Sequence, residues 1–133
     1  MAVSKHTSLS VGRLLRSLLL ESEGVRKRSN GKIFPVRIPV DPAELPYIAY
    51  MRTGVTYEPD KGDDYADTAQ VAVSCYSADY ESGVELAESV RDVLDGAEGY
   101  NDEMAMRSCT LVNADETWEG DAFVQNLVFE IRI

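Results

Sequence analysis

The chain has 133 residues, 44% of them hydrophobic and 27% charged, which fits one domain spanning 1–133 and excludes wholesale disorder, collagen and disulfide scaffolds. Thirteen basic against 23 acidic side chains leave a net charge of −10. A chain so acidic repels nucleic-acid phosphates as a whole, so any role beside DNA is one of passage or exclusion.

Thr7 or Ser8 is placed to cap a helix running to about Ser22. Leu9, Val11, Leu14, Leu15, Leu18 and Leu19 form its apolar stripe, and Gly24 is expected to stop it. No apolar stretch follows the N-terminal Lys5, and Arg16 interrupts the leucine run. Neither a signal peptide nor a membrane span is expected, which keeps the protein in the cytoplasm unless a larger particle carries it out. Arg26, Lys27 and Arg28 read as a basic turn ahead of Lys32–Val40, where two prolines allow only an edge strand or extended arm. Pro46 opens a strand through Arg52. Counting by twos, Tyr50 shares a face with Ile48 while Tyr47 lies opposite with Ala49.

The polar stretch Glu58–Asp67 reads as a hairpin loop. In the strand Thr68–Tyr76 that follows, Ala69, Val71, Val73 and Cys75 face one way. Ser77 or Asp79 caps a second helix ended by Gly96, with Val84, Leu86, Ala87, Val90, Val93 and Leu94 as its buried stripe. Strands over Met104–Asn113 and Ala122–Ile133 complete the chain, joined by an acidic loop, Ala114–Asp121. Phe123, Leu127, Phe129, Ile131 and Ile133 share one face of the last strand. The order α-β-β-β-α-β-β is that of an α+β fold, a mostly antiparallel sheet of four to five strands with two helices packed on one face.

Constellations that carry chemistry are weak. His6 is the single histidine, and neither a phosphate loop, a nucleophile elbow nor a CxxC pair occurs. Cys75 and Cys109 read as small apolar core residues, with a disulfide or reactive thiol as the other reading. The acids Glu58, Asp60, Asp63, Asp64 and Asp67 lack calcium-loop spacing. They read as a solvated loop, with weak cation binding or an assembly role as alternatives. Tyr47, Tyr50, Tyr57, Tyr65 and Tyr76 suggest base stacking, yet basic neighbours are few, and packing or subunit contacts explain them better. No catalytic, cofactor-binding or metal-ligating residue is assigned.

Charge divides unevenly: nine basic and four acidic side chains up to Arg52, four basic and nineteen acidic after it. Such a chain complements a copy of itself head to tail, or it presents two solvated faces of a monomer.

Leu45–Tyr50 resembles the strand that opens the core of siphophage and prophage tail-completion proteins, the tail-to-head joining or tail-terminator family. Ala69–Ser77, Tyr80 and Ala87–Gly96 are similar to that family's central strand and following helix. The leucine-rich first helix, Gly24-Val25 and Lys32–Val36 are similar to its front end. The resemblance implies a non-enzymatic virion protein without cofactors, assembled in the host cytoplasm as a homo-oligomeric, usually hexameric, ring. That ring would sit at the head-proximal end of the tail, between the tail tube protein and the head connector protein, with DNA passing unbound. On that reading Glu58, Asp60, Asp63, Asp64 and Asp67 are candidates for the lumen, and Arg26, Lys27, Arg28 and Tyr47 for the subunit interface. The alternatives are a small regulatory or ligand-binding α+β domain, which needs an apolar pocket, and a metal-dependent hydrolase or nuclease at Asp63 and Asp64.

Overall fold

In the computed structural model, which describes residues 7–36, 44–59, 65–100 and 105–133, the leucine-rich N-terminal segment is broken at Ser22 rather than continuous. A 3-10 turn over Thr7–Ser10 leads into α1 (Val11–Glu21), and α2 (Glu23–Ser29) follows. Ser22 has an extended backbone, and its hydroxyl accepts a hydrogen bond from the Val25 N–H at 3.3 Å, so it caps a new helix. Gly24 lies inside α2 instead of stopping α1, and Arg26, Lys27 and Arg28 occupy the last turn of a helix rather than a turn of coil. Cations suit that position, because the helix C-terminus carries partial negative charge. Asn30, at φ 55°, ends α2. Leu9 is 61% exposed and does not join the apolar stripe.

The five-stranded sheet has the order β1-β2-β3-β7-β6. β1 (Ile33–Pro35) is a short edge strand and pairs parallel to β2 (Tyr47–Pro59). The other pairs, β2 with β3 (Tyr65–Ser77), β3 with β7 (Ala122–Arg132) and β7 with β6 (Ser108–Glu119), are antiparallel. β2 and β3 are longer than the sequence suggests. They continue together past the end of β7, where Asp67 accepts the Ile133 N–H at 3.0 Å, as far as the Pro59–Tyr65 pair. The expected acidic loop Ala114–Asp121 is also corrected. Its first six residues belong to β6, and only Gly120 and Asp121 make the turn. Acidic side chains are tolerated in this strand because they sit exposed on the sheet's edge.

α3 (Tyr80–Leu94) starts where expected. The Asp79 carboxylate accepts the Ser82 N–H at 2.8 Å, and Gly96 follows the helix in a left-handed conformation at φ 85°. Val84 is half-buried, and Gly83 is buried in its place against Ser77. A two-stranded ribbon, β4 (Gly99–Tyr100) with β5 (Ala105–Met106), precedes β6 and was not expected.

The three α-helices of the described residues serve one core, where the sequence suggests two helices. Val11, Leu15 and Leu19 of α1, Val25 of α2 and Leu86, Val90 and Leu94 of α3 are fully buried with Ile48, Ala69, Val71, Val73, Cys75, Phe129 and Ile131 of the sheet. The alternation of β3 is as the sequence suggests. On β7, Leu127, Phe129 and Ile131 are buried as expected, whereas Phe123 and Ile133 are only half-buried near the strand's ends. The opposite face of the sheet carries no helix among the described residues.

Candidate functional site

Two surfaces stand out, both at the end of the sheet where Tyr47, Tyr76, Val124 and Thr117 lie side by side across four strands. On the open face, Tyr47 stacks on Tyr76 with ring centroids 4.7 Å apart, and Phe34 tilts against Tyr47 at 6.1 Å. Burial, the Glu119 carboxylate and Tyr47 together raise the Tyr76 hydroxyl's pKa. Further along this face, Ser74 and Asn126 are 2.8 Å apart, and the Asn126 amide donates to Asp115 at 2.9 Å. At the far end Gly54, Thr56, Thr68, Gln70, Glu130 and Arg132 line a shallow polar hollow. That is not the apolar pocket a small-ligand domain needs.

The second surface is the end of the β6–β7 hairpin on the helix side. Trp118 meets Phe123 edge-on at 4.8 Å, and Tyr80, from the first turn of α3, meets Phe123 edge-on at 5.9 Å. Glu116 accepts from Gln125 at 2.9 Å and from the Tyr80 hydroxyl at 2.8 Å. These bonds stabilise its carboxylate and hold it below the usual carboxylate range. Trp118 remains 57% exposed, unusual for the chain's single tryptophan. Sequence reasoning missed this cluster by reading residues 114–121 as a loop. The signal was there: Gly-Asp between two strand-like runs marks a two-residue hairpin turn.

Of the residues singled out from sequence, Arg26, Lys27 and Arg28 are exposed on one helix end. Lys27 pairs with Glu23 at 3.1 Å and the Arg28 guanidinium donates to the Gly24 carbonyl. Tyr47 is half-buried on the open face, on the side opposite Tyr50, as counting by twos implies. The acidic set is only partly in view. Asp67 is half-buried beside the chain's last residue, Glu58 lies near the end of β2, and Asp60, Asp63 and Asp64 lie outside the described residues. The cysteines resolve the other way from a bond. Cys75 aligns with Gln125 and Cys109 with Ile131, six residues apart along β7. That is about 20 Å of strand, far beyond disulfide reach. Burial pushes both thiols up to about 12. Among the described residues no group of three or more His, Cys, Asp or Glu is arranged to hold a metal.

Over residues 13–133 the sequence matches the family described as tail completion protein gp17. No curated protein matches the chain. Its fold is similar to that of a chain in the virion of a native gene transfer agent particle, with TM-score 0.81 and 17% identity over 97% of this chain and 98% of that one.

Proposed function

Because this chain belongs to the tail completion protein gp17 family, we propose that it finishes a phage-type tail as a ring of identical subunits. The family is one of structural virion proteins and not of enzymes, so the chain is a component of the tail. The ring would cap the tail tube, join it to the head connector and leave an opening for DNA.

The observation that supports this reading is the β2–β3 arm. Its two strands, which bear Glu58 and Asp67, stay paired past the last pairing of β7 as far as Pro59 and Tyr65. A subunit with its core on one side of the sheet and a strand pair that extends beyond it toward an acidic segment of the sequence suits a conduit. Bodies meet around the circumference, and carboxylates that repel phosphate line the opening. Glu58, Asp60, Asp63, Asp64 and Asp67 are the lumen candidates, while Arg26, Lys27, Arg28 and Tyr47 belong to the contacts between bodies.

The test adds purified protein to tails assembled without it. Electron microscopy should show a ring at one tail end, and such tails should then join heads. Replacing Asp60, Asp63 and Asp64 by Lys should leave ring formation intact and reduce DNA delivery. Association should weaken as salt rises to about 0.5 M, where the Debye length falls below ~5 Å. Tails that acquire no ring, at any salt, would sink the reading.

A further inference from the structure

We propose that the aromatic, acidic end of the β6–β7 hairpin, centred on Trp118, is the surface on which α2 of a neighbouring copy docks. This rests on the ring reading above and names the contact that would close it.

The two surfaces are complementary in chemistry. Beside Trp118 on the helix side lies Glu116, whose carboxylate is fixed in place by Gln125 and Tyr80, and Asp121 is exposed in the adjoining turn, while Glu119 faces Tyr76 on the other side of the sheet. α2 offers Arg26, Lys27 and Arg28 in its last turn. A guanidinium over the face of an indole is the most favourable cation–π pairing, and neighbouring carboxylates add charge-assisted hydrogen bonds. Burying Trp118 in such a contact would also account for so large an apolar side chain being left 57% exposed in the single subunit.

They are also complementary in position. α2 runs into β1: the Lys32 N–H bonds the Ser29 carbonyl at 3.0 Å, and the Lys32 carbonyl accepts the Ile48 N–H at 2.9 Å. β6 is at the opposite edge of the sheet. Four strand spacings of about 4.8 Å separate the two edges by roughly 19 Å, so one chain cannot satisfy both surfaces by itself. Two copies side by side can. Each then uses a different surface, the heterologous arrangement that closes into a ring.

The experiment follows assembly and docking separately in the full-length chain. Sedimentation of the wild type up to millimolar concentration reads assembly, and emission of the single tryptophan reads docking. As assembly proceeds, Trp118 emission should shift to shorter wavelength and its quenching by acrylamide should drop several-fold. Arg26→Glu with Arg28→Glu should weaken assembly at least tenfold, as should Glu116→Arg with Asp121→Arg. Mixing those two variants should recover a complex that neither forms alone. On tail tubes, the pair Lys27→Cys and Asp121→Cys should cross-link into a ladder of oligomers, since the native thiols are buried. Assembly with Trp118 as quenchable as in the monomer, or tube-bound rings without cross-links, would overturn this contact and leave the ring standing. No assembly in solution or on tubes would overturn both.

Discussion

A β-carbon on Gly12 would stand 2.9 Å from Cε2 of Tyr50. The ring lies over α1 at the one point in that helix where a side chain is missing, and Tyr50 is only 9% exposed. Ala at an exposed helix position would gain about 1 kcal/mol over Gly, but overpacking a core typically costs about 1–3 kcal/mol. Gly12→Ala should therefore lower the thermal midpoint. In a Tyr50→Leu background the same change should raise it. A double-mutant cycle reads the coupling, and equal effects of Gly12→Ala in both backgrounds would refute this contact.

The two tyrosines of β2 should divide folding from assembly. Tyr50→Ala removes a buried ring, at a cost on the order of 3 kcal/mol. Tyr47→Ala removes a ring stacked on Tyr76 on the face that carries no helix among the described residues, and should weaken association more than folding. Equal losses of thermal stability with assembly intact would contradict that division.

Alkaline pH should destabilise the fold through its thiols. Folded Cys75 and Cys109 keep their protons up to about 12, against an ordinary value of 9.0. Unfolded thiols release theirs first, so the stability is whole below pH 9.0 and is lost as pH rises through that window. Cys75→Val should flatten the fall in urea midpoint above pH 9.0. Iodoacetamide should label neither thiol at neutral pH until urea unfolds the chain.

Acid should act through Asp95, with the opposite sign. The Leu111 N–H at 3.0 Å and the Arg91 guanidinium at 3.2 Å both donate to its carboxylate and lower its pKa. Its contribution is present above the ordinary value of 3.8 and disappears as pH falls through the lowered one. Asp95→Ala should lower the thermal midpoint near neutrality, and the gap to wild type should close well below pH 3.8. A gap that persists in acid would assign the loss to packing.

Much of this fold is written in residue patterns that act locally. The Ala69–Cys75 alternation and the Asp79 and Gly96 signals around α3 depend on near neighbours, and the structure agrees with each. What was illegible depends on partners distant in sequence. Ser22 caps a helix only because Val25 has a core to enter, and β6 can hold the three exposed carboxylates Asp115, Glu116 and Glu119 because β7 supplies its register. The parallel β1–β2 pair follows from where α2 sets the chain down. For the site the limit was the same: Tyr80, Trp118 and Phe123 come from three elements, and no spacing in the chain announces that they meet.

The outer edge of β6 has a consequence for the subunit before it is used. A twelve-residue border strand is a template for runaway strand-to-strand growth between copies. Here the extra residue Val112 disrupts the regular register, and beyond it Asp115, Glu116 and Glu119 would face their own kind in any symmetric pairing. An identical edge is thereby disfavoured as a strand partner, while a cationic surface, as in the contact proposed above, would not be. Acidification toward the pI of about 4.5 would remove the chain's net charge, leave the bulge and the Glu116 carboxylate as the remaining guard, and favour precipitation.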